Sequence, residues 1–377
     1  MVDIIVGGDV CPIGRALPAF MNGNAISIFN DTLQAFRDSD LAIVNLECAL
    51  LPDSPRPILK DGPALGVPQD CIYGIKNADI NFVNMANNHC MDFGTEGIKI
   101  TIETCQKGGI GYFGAGRNLA EAGKLLIKEI KGKRIAFLGI AEHEFSIAGP
   151  NSWGANPLDL ITLVRHIKSI RNTYDFLLVL FHGGKEHYPF PTPKQMETCR
   201  FMAELGANAI ICQHSHCPGC YEIHNGAPIF YGQGNLIFDK KNSPLSWREG
   251  FLIRLNIKSY GQCDFDLIPY TQFGERFGVN RLSGRELERF NEQFDSRSRT
   301  ILEPNFVTDN WEAYCREQKY TYLSRLHGHS RFFRVLNRKS HFTDWLYSSK
   351  KRTMLRNVVE CETHREVLET LWRRLEA

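Results

Sequence analysis

The chain has 377 residues, of which 43% are hydrophobic and 23% charged, with a formal net charge of +2. That is enough length for two domains, or for one large domain with an appendage, and the composition is that of a globular protein with a full core. Residues 1–310 carry 30 Lys+Arg against 34 Asp+Glu and residues 311–377 carry 14 against 8, an asymmetry too weak to call for a nucleic-acid partner.

Met1-Val2-Asp3 offers no basic n-region or cleavage site. No apolar run approaches the ~20 residues of a membrane span. Twelve cysteines lack a repeating spacing, and Cys48, Cys105 and Cys212 sit inside apolar stretches. They read as reduced core thiols of a cytoplasmic protein.

Short apolar runs predict strands at Ile4–Gly7, Leu41–Leu46, Ile80–Met85, Ile135–Gly139, Phe176–Phe181 and Ala209–Cys212. Between them, helical spacing predicts helices over Ala25–Arg37, Glu96–Lys107, Leu158–Arg171 and Pro193–Leu205. Tyr221–His224 and Pro228–Tyr231 flank Asn225-Gly226, a pair that accepts the positive φ of a hairpin turn. Strand-like alternation continues through Phe251–Ile257 and Phe265–Pro269, so the sheets are expected to be mixed. Five prolines between 52 and 68 mark a long loop. Beyond residue 272 the predicted elements are helices at Ser283–Phe294, Thr308–Leu326, Phe342–Val359 and Thr363–Leu375, with Ser283 and Glu286 spaced as a capping box. The expected boundary therefore separates residues 1–272 from a helical region at 273–377.

Metal-ligand residue types recur where the apolar strands end: Gly8-Asp9, Asn45-Leu46-Glu47, Asn87-Asn88-His89, His182-Gly183-Gly184 and His214-Ser215-His216. Carboxyl ends of strands in α/β sheets are where ligands bind, so the five endings can converge. Two carboxylates, one amide oxygen and three imidazoles suit Mn²⁺, Zn²⁺ or Fe²⁺ better than Ca²⁺. Two ions ~3.5–4 Å apart need a shared ligand, and Glu47 is the candidate.

Gly8-Asp9 with Arg15, Asn45-Leu46-Glu47, Ala86-Asn87-Asn88-His89 with Asp92 and Gly94, His182-Gly183-Gly184 with Glu186, His214-Ser215-His216, and Tyr231 with Gly234-Asn235 and Phe238-Asp239 together resemble the CapA family of poly-gamma-glutamate capsule biosynthesis proteins. That family is similar to the calcineurin-like metallophosphoesterases, and the resemblance covers residues 2–270. It implies an α/β fold, a four-layer αββα sandwich with two mixed β-sheets, followed here by the C-terminal helical extension. It further implies that Asp9 and His216 hold one metal, that Asn88, His182 and His214 hold a second, and that Glu47 bridges them. His89 then resembles the superfamily's non-ligand histidine, which protonates a leaving oxygen or steadies the phosphoryl group, with Asp92 expected to orient its ring and Arg15 to pair with a phosphate oxygen. The superfamily's Asp-x-His is Asp9-Val10-Cys11 here, which leaves Cys11 as either a soft ligand or a bystander.

Other pairs read more plainly. Cys217-Pro218-Gly219-Cys220 lacks a partner pair at zinc-ribbon spacing, so a structural role is favoured. Glu186, His187 and Tyr188 either bind substrate beside His182 or, for Glu186, orient a ligand. His327-Gly328-His329 and the run Ser349-Lys350-Lys351-Arg352 read as solvated helix surface, with lipid-headgroup contact the alternative for the latter.

The expectation is a dinuclear-metal-dependent hydrolase of phosphate esters in surface-polymer metabolism, with a phosphorylated or polymeric substrate. No nucleic acid and no membrane span are expected. The alternatives are a capsule biosynthesis factor and a scaffold stabilised by its metals.

Overall fold

A computed structural model describes residues 1–52, 55–258, 261–326 and 328–375. The chain divides into two compact units, Met1–Val307 and Thr308–Ala377.

In the first unit the order of one sheet is Val279–Arg281, Cys263–Gln272, Glu249–Ile257, Val2–Val10, Leu41–Leu46, Phe82–Asn84 and Gly111–Phe113, with Asn235–Ile237 also paired to Val2–Val10. The other runs Pro218–His224, Ala227–Gln233, Ala209–Gln213, Phe176–His182, Lys133–Ala141 and Leu126–Ile130. Both are mixed: Val2–Val10 pairs parallel to Leu41–Leu46 and antiparallel to Glu249–Ile257, and Lys133–Ala141 pairs parallel to Phe176–His182 and antiparallel to Leu126–Ile130.

Period-two alternation builds the layers. Phe176, Leu178 and Leu180 join Val2, Ile4 and Val6 of the other sheet in one buried cluster between the sheets. Leu177, Val179 and Phe181 turn the opposite way, toward Ile167, Met196 and Met202. Those come from helices Leu160–Ile170 and Pro193–Glu204, whose N-caps Asp159 and Thr192 accept hydrogen bonds from Thr162 and Gln195. On the far side, Ile5, Val44 and Val83 pack against Phe20, Phe36 and Ile98 of further helices. Helix, sheet, sheet, helix is the four-layer αββα order expected. Strands buried on both faces read in the sequence as unbroken apolar runs, which is why they were legible.

The first compact unit runs on to Val307, past the boundary expected at 272/273. Val279–Arg281 adds a strand to the first sheet. The helix Gly284–Thr300 then closes the inter-sheet cluster with Phe290 and Phe294. Phe294 stacks on Tyr221 at 5.6 Å and meets Phe251 at 5.1 Å. Arg297 donates to the Gly219 carbonyl at 2.7 Å. Ser283 occupies the N-cap, but its side chain accepts no hydrogen bond, so the expected capping box does not form. The stretch Ala25–Arg37 is also broken, into Ala25–Phe29, Asn30–Thr32 and Leu33–Arg37. Asn30 causes the break: its φ is +43°, and its amide donates to the carbonyls of Phe277 and Val279.

The second unit is helical, with Arg331–Ser340, Phe342–Leu346, Ser349–Glu360 and Glu362–Leu375 following Phe306–Leu326. The predicted Phe342–Val359 helix is interrupted at Tyr347, and Ser348 caps the piece that follows. His327 lies outside the described residues. No helix among the described residues is long and apolar enough to cross a membrane.

A chain ending at Val307 should melt in one cooperative transition. A chain ending at Gln272 should not, because losing Phe290 and Phe294 removes about 2–3 kcal/mol each of apolar burial. Circular dichroism melting decides, and identical melts for the two truncations would restore the boundary at 272.

Candidate metal centre

The two sheets point the carboxyl ends of their parallel strands at one place. Asp9 stands opposite Asn45, and Asn45 opposite Asn84, in the first sheet. His182 stands opposite Gln213 and Ala141 in the second. Gly8 lets the strand before Asp9 lie close to Gly234, since a Cβ there would fall 2.1 Å from the Gly234 oxygen. His214 and His216 follow Gln213 with φ of +95° and +53°. Left-handed backbone at two non-glycine residues costs on the order of 1–3 kcal/mol each and is kept where a site over-determines it.

Asp9, Glu47, Asn88, His182, His214 and His216 are brought together, all buried. His182 Nε2 lies 3.0 Å from Asn88 Oδ1, 3.1 Å from His214 Nδ1 and 3.4 Å from Glu47 Oε1. His216 stands 3.6 Å from Asp9 Oδ2 and 3.9 Å from Glu47 Oε1. Among the described residues, three groups have ligand atoms mutually close enough to hold a metal ion: Asp9, Glu47 and His216; Glu47, His182 and His214; and Glu186, His214 and His216. Glu47 is common to the first two. The third brings in Glu186 as a candidate ligand, and none includes Cys11. Cys11 packs in the apolar core beside Cys48.

Asparagines fix this arrangement from behind. Asn45 donates to Asp9 Oδ1 at 2.7 Å. Asn87 donates to Asn45 Oδ1 at 3.1 Å and accepts from the His89 N–H at 3.1 Å. Asn235 Oδ1 lies 2.9 Å from His216 Nδ1, which leaves Nε2 as the ring nitrogen facing Glu47.

Burial and then the Glu47 charge push the Asp9 carboxyl up to about 6. Burial pushes Glu47 up as well, but the imidazoles of His216 and His182 outweigh it and hold the carboxyl below its usual range. Burial and His182 together depress His214 well below an ordinary imidazole, whereas for His216 burial is outweighed by Glu47 and Asp9, and its pKa rises. Both oxygens of Glu47 are buried without a hydrogen-bond partner. A buried carboxylate in that condition costs several kcal/mol unless a cation meets it, so divalent metal fits this donor set.

His89 lies one residue beyond Asn88. Its Nδ1 is 2.6 Å from Asp92 Oδ2. Lys60, from the proline-rich loop, bonds Asp92 Oδ1 and lies 3.2 Å from His89 Nδ1. Asp92 Oδ2 also accepts the Leu65 N–H at 2.7 Å, and its carbonyl accepts the Ile58 N–H at 2.9 Å, which ties the loop down. Lys60 was missed because an isolated lysine in a loop carries no pattern. Glu144 was missed as well: it accepts from Asn88 Nδ2 at 3.2 Å and stands 3.9 Å from His214. It lies just past the end of Lys133–Ala141, where the strand-end rule could have found it.

Arg15 is engaged by a carboxylate of the protein itself. Its Nε and Nη2 grip Asp239 at 2.9 and 2.8 Å, and Nη2 also donates to the Phe273 carbonyl. That fork is occupied by Asp239 and the Phe273 carbonyl. Cys217 and Cys220 are buried thiols, and burial pushes Cys217 up to about 11. His187 packs against Trp247 at 5.6 Å and His216 at 6.2 Å, on the side of the site that Trp247 walls.

Residues 3–240 match the family described as bacterial capsule synthesis protein PGA_cap. Capsule biosynthesis protein CapA of Bacillus anthracis is 25% identical over 276 residues, covering 70% of this chain and 65% of that one. PGA biosynthesis protein CapA of Bacillus subtilis is 29% identical over 251 residues, covering 65% of each chain. The chain thus spans just under two thirds of the length of either relative. Among solved structures, a 5′-nucleotidase precursor from Thermus thermophilus superposes with a TM-score of 0.44 at 12% identity, over 84% of this chain and 58% of that one. The match to residues 3–240 spans well over half of the sequence, and the chain belongs to the bacterial capsule synthesis protein family.

Proposed function

We propose that the chain is a hydrolase of phosphoester bonds that works with two divalent transition-metal ions, Mn²⁺, Zn²⁺ or Fe²⁺, in surface-polymer metabolism. The observation that carries this reading is the division of labour between neighbours. Asn88 Oδ1 faces the ligand cluster, while His89 turns to Asp92 and Lys60. Metals kept for stability alone would need no such histidine.

When bound, the ions would neutralise the charge of a phosphoryl group and raise the nucleophilicity of water. They would be held by Asp9, Glu47 and His216 on one side and by Glu47, Asn88, His182 and His214 on the other. Glu186 is a further donor toward His214 and His216. The chain's own part is proton transfer. With Nδ1–H directed at Asp92, the imidazolium form of His89 would carry its second proton on Nε2, pass it to the departing oxygen as the bond to phosphorus breaks, and be left as the neutral Nδ1–H tautomer. Lys60 balances the charge of Asp92 in a pocket from which both side chains exclude water. Nine of twelve cysteines are buried, which suits a reducing, cytoplasmic setting.

A second reading follows from the family itself. Relatives named for PGA biosynthesis favour a factor that binds or transfers acyl-phosphate or peptide-like substrates during polymer assembly.

Protein reconstituted with Mn²⁺ and desalted should carry about two ions per chain, and Glu47→Ala should lose more metal than any other ligand change. Elemental analysis returning one ion or none for the wild type would contradict the dinuclear reading.

His89→Asn should keep its metal and its melting temperature while turnover of a phosphomonoester or phosphodiester drops ~10²–10⁴-fold, least for activated leaving groups. Equal turnover at matched metal content would remove the role assigned to His89. Metal-loaded wild type inactive on every phosphoester would favour polymer assembly.

A further inference from the structure

One helix of the second unit is built inside out. In Arg331–Ser340 the buried side chain is Asn337, whose amide donates to the Tyr320 carbonyl at 3.1 Å and to Ser324 Oγ at 2.9 Å. Its oxygen accepts from Thr343 N and Oγ1, each at 3.1 Å. Phe332, Phe333, Val335 and Leu336 are exposed instead, Phe332 to 70%. At about 100° per residue these four fall on one side of the helix with exposed Lys339 among them, and Arg331, Arg334 and Arg338 share the other. The next two helices repeat the exposure, with Trp345 at 83% and Met354 at 63%. Charge is concentrated on the same stretch: residues 325–356 contain nine Lys and Arg against Asp344 alone.

We infer that residues 331–354 form a peripheral docking surface for an anionic lipid bilayer. Outward Phe, Leu, Trp and Met side chains enter the boundary between headgroups and acyl chains, and the flanking cations meet lipid phosphates. The helices involved are too short to span, so they lie in the interface, where tryptophan is favoured. Charge complementarity selects this occupant. An apolar protein groove would not call for nine cations, and a nucleic-acid backbone would leave the aromatic and aliphatic side chains in water. The inference stands independently of the phosphoester reading.

Flotation of the full chain with vesicles tests it. Binding is expected to phosphatidylcholine vesicles containing about 30 mol% phosphatidylglycerol, and not to phosphatidylcholine alone. It should fall at least about tenfold when salt rises from ~0.1 M to ~0.5 M. A similar fall is expected for Phe332→Ser with Trp345→Ser. Should that variant misfold, Lys350→Gln with Lys351→Gln and Arg352→Gln, at exposed positions, gives the same readout. Absence of flotation with anionic vesicles, or flotation undiminished by a folded variant, would overturn the proposal. So would a lipid-free dimer that Phe332→Ser dissociates, or binding of duplex DNA in preference to vesicles.

Discussion

A carboxylate removed from water with neither oxygen hydrogen-bonded carries a penalty of several kcal/mol, and Glu47 is in that position where two sheets meet. Nothing in the apolar layers on either side can offset it. The groups close to it are Asp9, which adds a like charge, and the imidazoles of His182 and His216, which offset that charge only when protonated. Protons and divalent cations therefore compete for the same cluster, and loading the site would release protons. The convergence of strand ends makes sense as a way to gather donors around the buried carboxyls of Glu47 and Asp9.

Holding six candidate ligands in place demands rigidity, and the fold supplies it at three levels. Parallel pairing aligns Asp9, Asn45 and Asn84 across the first sheet. Asn45 and Asn235 then fix atoms of Asp9 and His216, and Asn87 holds Asn45, by hydrogen bonds that reach no solvent. Finally, His214 and His216 are kept in left-handed backbone by the strands on either side of their turn, Ala209–Gln213 and Pro218–His224. The same network reaches His89 through Asn87, so the proposed proton-transfer group and the candidate ligand cluster share one support.

Much of this was legible because buried parallel strands are apolar from end to end, and the residue that stops each run is the one that faces the site. Asp9, Glu47, Asn88, His182, His214 and His216 could be read that way. Features set by distant partners could not. Asn30 breaks a helix because residues 277–279 bind its amide. Arg15 is claimed by Asp239, 224 positions along the chain. Phe290 and Phe294 join the first unit because they find partners on strands that come earlier in the sequence. Lys60 lies in a loop without periodicity, and only its contact with Asp92 distinguishes it. The edge strand Leu126–Ile130, which alternates between half-buried and exposed residues, gives too weak an apolar signal to stand out.

The central claim is that one carboxylate is shared by two metal ions. Electron paramagnetic resonance of the Mn²⁺-loaded protein addresses it directly, because ions bridged at ~3.5–4 Å are magnetically coupled. At full loading the account predicts a coupled-pair spectrum, replaced by an isolated six-line signal or by no bound Mn²⁺ in Glu47→Ala. An isolated six-line signal from the fully loaded wild type would contradict it.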